Sequence, residues 1–114
     1  MIVKETNLNG CFIIQPKVIQ DKRGYFLESF NHVVFKEGLK RDINFVQDNE
    51  SYSSKGVLRG LHYQKGDYAQ AKLVRVIKGK ILDVVVDLRT DSPTFSKYIS
   101  IELSEDNKTQ LFIP

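Results

Sequence analysis

Lys72-Leu-Val-Arg-Val-Ile-Lys-Gly-Lys-Ile-Leu-Asp-Val-Val-Val-Asp-Leu88 holds two runs of branched aliphatic residues separated by one glycine. Runs of this length and composition read as strands. Lys72 to Ile77 and Ile81 to Leu88 are therefore expected to pair as a hairpin, with Gly79 in Lys78-Gly79-Lys80 supplying the tight turn. In the first run the two-residue period puts Lys72, Val74 and Val76 on one face, and Leu73, Arg75 and Ile77 on the other. Lys72 thus shares a face with apolar side chains. In the second run Asp83 and Asp87 fall on one face. An acid among valines needs a partner when buried, so either orients His62 or pairs with Arg89 or Arg75; the structural pairing is the expectation.

Similar segments extend the pattern in both directions: Cys11 to Gln15, Tyr25 to Phe30, Asn44 to Ser51, Val57 to Gln64 and Tyr98 to Leu103. Many short strands between turn signals predict a mostly β protein, a sandwich or a jelly-roll double-sheet barrel. One short helix is expected over Asn31 to Leu39, with Asn31 as its cap and Gly38 near its end. His32, on that helix, is expected at the surface. The last residues, Leu111-Phe-Ile-Pro114, are apolar and strand-like, which gives the expectation of a single domain over 1–114 truncated at its carboxyl end.

A chain of 114 residues supports one core, burying about two-thirds of the unfolded surface. No apolar run approaches the roughly 18 residues needed to cross a bilayer. Met1-Ile-Val-Lys-Glu-Thr6 lacks the apolar stretch and cleavage site of an export signal. A cytoplasmic protein with no membrane partner is expected. The single cysteine, Cys11, stands beside Phe12-Ile13-Ile14, where a small buried residue fits; alone, it forms neither an internal disulfide nor a zinc cluster. The formal net charge of +3 favours an anionic partner. The cations are dispersed among 14 acidic residues with no basic run, which points to a charged metabolite and away from nucleic acid.

The chemistry is concentrated in Gly56-Val-Leu-Arg-Gly-Leu-His-Tyr-Gln64 and Gln70-Ala-Lys72, which supply Arg59, His62 and Lys72. A histidine accepts a proton near neutral pH. Fixed cations beside it stabilise the oxyanion formed when a proton leaves carbon next to a ketone. Strict pleating puts Arg59 and His62 on opposite faces, unless a bulge at Gly60 resets the register. Arg23, in the turn Asp21-Lys-Arg-Gly24, reads either as a bidentate phosphate clamp or as an exposed loop arginine. Gln47-Asp-Asn49 reads either as a sugar-binding set or as a strand edge.

Asp21-Lys-Arg-Gly-Tyr-Phe-Leu-Glu-Ser-Phe30, Phe45-Val-Gln-Asp-Asn-Glu-Ser51, Gly56 to Gln64, Gln70-Ala-Lys-Leu-Val74, Gly79 and Asp83 to Phe95 together resemble the dTDP-4-dehydrorhamnose 3,5-epimerase family. These are cupin enzymes that make the precursor of dTDP-L-rhamnose. The resemblance implies a cupin jelly roll and a homodimer. It implies His62 as the base at C3 and C5 of a dTDP-4-keto-6-deoxyhexose, with Arg59 and Lys72 beside the sugar and its enolate. It also implies nucleotide and diphosphate contacts by Arg23 and Glu28, one or both across the dimer interface, and sugar contacts by Gln47 and Asn49. No cofactor is implied, because the C4 ketone itself acidifies both neighbouring C–H bonds. The family's opposite-face tyrosine and the aspartate paired with its histidine belong to a part that follows the position of Pro114.

No metal is expected either. Cupin metal sites take two histidines one residue apart, a carboxylate and a later histidine; here the matching positions hold His62-Tyr-Gln64 and then Lys72, so a cation replaces an anion. Three alternatives stay open: a non-catalytic nucleotide-sugar-binding cupin, an inactive fragment, and a related cupin that isomerises the keto group or inverts one centre.

Overall fold

The run Gln110-Leu-Phe-Ile113, buried along nearly its whole length, sends successive side chains to opposite sides of its sheet, and the rest of the fold is arranged around it. In the computed structural model, which describes residues 1–114, the order is β1 (Ile2–Glu5), β2 (Phe12–Gln15), β3 (Val18–Asp21), β4 (Gly24–Leu27), α1 (His32–Leu39), β5 (Lys72–Arg75), β6 (Lys80–Val86), β7 (Tyr98–Ser104) and β8 (Gln110–Ile113), with one 3-10 turn over Gly66–Tyr68. β1, β2, β8 and β5 form a four-stranded antiparallel sheet in that order, while β3–β4 and β6–β7 are separate two-stranded sheets. The protein is mostly β with one helix, and its sheets are open. No helix is long and apolar enough to cross a membrane.

Pleating divides the core in two. On one side of the four-stranded sheet Leu111 packs with Leu8, Cys11 and Leu103, flanked by Val74, Val85, Ile101 and Ile113. On the other, Phe112 packs with Ile14, Phe35 and Leu39 of α1. Ile14, Leu111 and Phe112 are at most 1% exposed, and each such side chain contributes about 1.5–3 kcal/mol by leaving water. Cys11 is buried in the first cluster as filler, and burial raises its thiol pKa.

Helix α1 begins where a cap and a staple coincide. The Asn31 carboxamide oxygen accepts from the backbone N–H groups of Val33 and Val34 at 3.1 and 3.3 Å. Phe30 reaches Phe35 one turn along, with ring centroids 4.9 Å apart, as in a hydrophobic staple. Phe45 packs edge-on against Phe30 at 5.3 Å. The helix ends at Lys40 in the left-handed conformation. His32 is at the surface, 3.3 Å from Asp42.

Two expectations fail. Lys72 to Ile77 and Ile81 to Leu88 do not form a hairpin: β5 pairs with β8, and β6 pairs with β7. Gly79, at φ +78, turns the chain out of one sheet and into another. The segments Asn44 to Ser51 and Val57 to Gln64 are not strands. Their branched and aromatic residues have strand preference, but a strand also needs an adjacent ladder, and no strand of this chain lies alongside. Val46 and Leu58 are accordingly 87% and 91% exposed.

Candidate active site

Lys72 opens β5, half-buried, opposite Ile113 of β8. Because Val74 and Ile113 pack against the Leu111 cluster, Lys72 lies on the wall of the interior between the four-stranded sheet and β6–β7, on the face its alternation predicts. Asp83 lies on the facing wall, half-buried in β6 and opposite Ile101 of β7. Desolvation raises its carboxyl pKa, opposed by a hydrogen bond from the Val84 backbone and then by the charge of Lys72. The expected pairing of Asp83 with an arginine does not occur. Arg75 points to the other side of its sheet, and Arg89 is taken by Asp87.

That Asp87–Arg89 pairing is the structural one expected. The Asp87 carboxylate, 1% exposed, also accepts from Ser92 Oγ and Thr94 Oγ1 at 2.6 Å each. Arg89 donates onward to the Asn9 carbonyl at 2.6 Å. This cluster ties the end of β6 to the loop before Cys11 and so fixes the strand that carries Asp83.

Arg59 and His62 lie on the exposed, unpaired segment, with Arg59 donating to the Tyr52 carbonyl at 3.1 Å. No hydrogen bond or ion pair joins any two of Arg59, His62 and Lys72. Between Arg59 and His62, Gly60 has φ +111, and a Cβ there would lie 3.4 Å from His62 Nδ1. The glycine thus breaks the pleat and brings bare backbone up to the imidazole.

Arg23, Glu28, Gln47 and Asn49 are all exposed. Arg23 sits in the β3–β4 turn, ion-paired to Asp21 at 2.6 Å, which lowers the Asp21 carboxyl pKa. Glu28 accepts from Asn31 Nδ2 at 3.1 Å, and Gln47 donates to Asn49 at 3.0 Å. A hollow between the β3–β4 hairpin and the β7–β8 turn is lined by Gln15, Tyr25, Asn107 and Lys108, and none of the expected site residues borders it. No three His, Cys, Asp or Glu side chains gather as a metal-binding group. The sequence reading missed Asp83 as a neighbour of Lys72; its only local signal was an acid on the inward side of a valine-rich strand.

The family model described as dTDP-4-dehydrorhamnose 3,5-epimerase matches residues 5–114. The chain is 54% identical to the dTDP-4-dehydrorhamnose 3,5-epimerase of Shigella flexneri over 114 residues, covering 100% of this chain and 63% of that protein. Among solved structures it is similar to the enzyme of the same name from Elizabethkingia anophelis, with 52% identity, a TM-score of 0.92, and coverage of 98% of this chain and 61% of that one. It is also similar to the dTDP-6-deoxy-D-glucose-3,5-epimerase of Legionella pneumophila in complex with dTDP-4-keto-L-rhamnose, with 47% identity, a TM-score of 0.93, and coverage of 98% and 59%. The chain spans about three-fifths of the length of these relatives.

Proposed function

The chain belongs to the dTDP-4-dehydrorhamnose 3,5-epimerase family, and on that ground we propose that it acts in dTDP-L-rhamnose biosynthesis by inverting C3 and C5 of a dTDP-4-keto-6-deoxyhexose. The observation that carries the reading is the likeness to an epimerase solved with dTDP-4-keto-L-rhamnose. Residues 1–114 are read as one cupin-like domain whose open sheets belong to a jelly roll. The exposed Val46, Leu58 and Leu61 support a homodimer that covers this surface. A cytoplasmic location fits a metabolite substrate.

In this reading His62 removes the proton from carbon beside the C4 ketone, and the electron pair moves onto the ketone oxygen. Arg59 and Lys72 hold that enolate oxygen. Reprotonation from the opposite face inverts the centre, and the same steps act at the second carbon. Imidazole is a weak base for such a proton, so the two cations must lower the barrier by preorganised charge. Arg23 exchanges its exposed Asp21 partner for the diphosphate, Glu28 contacts the nucleotide, and Gln47 and Asn49 bind sugar hydroxyls. The mechanism requires no cofactor.

Incubation of the protein with a dTDP-4-keto-6-deoxyhexose in heavy water tests this, with deuterium expected at both C3 and C5. Intact substrate bound and released without label at either carbon overturns it. A second reading is a nucleotide-sugar-binding cupin without turnover. Calorimetric binding of dTDP without exchange selects that reading.

A further inference from the structure

Asp83 is an inward-facing carboxylate that the mechanism above leaves unused. On its strand it lies two residues from Val85 and across from Ile101; Lys72 lies two residues from Val74 and across from Ile113. All four apolar neighbours pack against the same buried cluster of Leu8, Cys11, Leu103 and Leu111. Residues two apart on a strand, and residues directly opposite on antiparallel strands, share a face. The carboxylate and the ammonium therefore stand on opposing walls of one apolar interior. Arg89 is bound to Asp87, and Lys72 is the charged side chain whose field acts on Asp83.

A lysine at the mouth of an apolar interior ordinarily extends its stem and puts its head in water. Resting on the epimerase reading, we propose that Asp83 is a positioning residue: its carboxylate holds the Lys72 ammonium in the space between the sheets, where a developing enolate oxygen meets it. The two groups form no ion pair within 4.0 Å, so the charge of Lys72 acts on the carboxylate through space. Desolvation makes the carboxylate costly at this position, and that cost is consistent with a functional use of the residue.

Two readouts test the proposal. In protein labelled at lysine, the Lys72 Nζ resonance, assigned through Lys72→Arg, should move in Asp83→Asn and return towards its original position in Asp83→Glu, with Lys80 as an unmoved control. In heavy water, Asp83→Asn should slow deuterium uptake at least tenfold while dTDP affinity stays within twofold, and Asp83→Glu should recover most of the rate. A Lys72 resonance unmoved in Asp83→Asn overturns the proposal, as does uptake at the original rate. If the unaltered protein takes up no deuterium, the epimerase reading fails, and the resonance alone then decides whether Asp83 places Lys72.

Discussion

The guanidinium of Arg89 donates from both Nε and Nη2 to the carboxylate of Asp87, at 2.8 Å each. Arg89 is the main cause holding the Asp87 carboxyl pKa well below the usual range, and the Ser92 and Thr94 hydroxyls add to it. A carboxyl whose pKa is lower in the folded protein stabilises the fold above its unfolded value, about 3.9, and loses that contribution as pH falls. Urea midpoints should therefore drop steeply below about pH 4–5, and Asp87→Asn should flatten that dependence. At neutral pH the same substitution should cost about 2–3 kcal/mol. This is less than the roughly 3–5 for breaking a fully buried pair, because the Arg89 side chain is 38% exposed.

Asp83 should show the opposite sign. Its pKa is raised by burial, so its contribution is fully present below the unfolded value and is lost as pH rises through the folded one. Asp83→Asn should thus be neutral at pH 3 and more stable than the parent at pH 7. Denaturant melts of the two proteins at both pH values check this. A variant less stable at pH 7 would mean that the attraction of Lys72 outweighs desolvation.

Asn31→Ala removes the acceptor for two backbone N–H groups at the start of α1. The expected cost is about 1 kcal/mol, read as a lower urea midpoint with an unchanged slope. Asn31→Asp keeps the two cap bonds and complements the helix dipole but loses the donation to Glu28 and sets two carboxylates together, so it should recover only part of the loss.

That helix was legible from the sequence because its signals are local, Asn31 at the cap and Gly38 near the end; the close approach of β1 at Gly38, where Val3 Cγ2 lies 3.0 Å from where a Cβ would be, is not local and was not legible. The existence of β2, β5, β6 and β7 was legible for the same reason, as was the inward face of Lys72, which follows from a two-residue period. Pairing was not. Whether β5 meets β6 or β8 depends on which apolar faces close over Leu111, and that choice is made between distant segments. The 44–64 region shows the limit most clearly, since Val46, Tyr52 and Leu58 have the side chains of a strand without the neighbour that would make one. At the site, Asp87 and Arg89 are two residues apart and could be paired by inspection, whereas Asp83 and Lys72 come together only through the stacking of separate sheets.

Gly60→Ala places a Cβ on a backbone at φ +111, a conformation that costs a non-glycine residue about 1–3 kcal/mol. Because the surrounding segment is exposed and unpaired, the strain should be relieved by local movement, leaving the global urea midpoint nearly unchanged. The imidazole of His62, 3.4 Å from the new methyl group, should move with it. The expected outcome is a shifted His62 ring resonance and at least tenfold slower deuterium uptake. A shifted midpoint with an unshifted ring would place the effect of Gly60 in stability instead.

His62 and Lys72 should fail in different ways if one is the base and the other holds the enolate. His62→Ala removes the proton acceptor, so exchange should vanish at both carbons while dTDP binding persists, because the nucleotide contacts proposed above, at Arg23 and Glu28, do not involve His62. Lys72→Met keeps the aliphatic stem against Val74 and Ile113 and removes only the charge. Losing one preorganised donor typically costs about 2.7–4 kcal/mol of transition-state stabilisation, so exchange should slow by about two to three orders of magnitude. Since that charge is needed only once the oxyanion forms, the maximal rate should fall with little change in half-saturation. A raised half-saturation with an unchanged maximal rate would instead make Lys72 a ground-state binding residue.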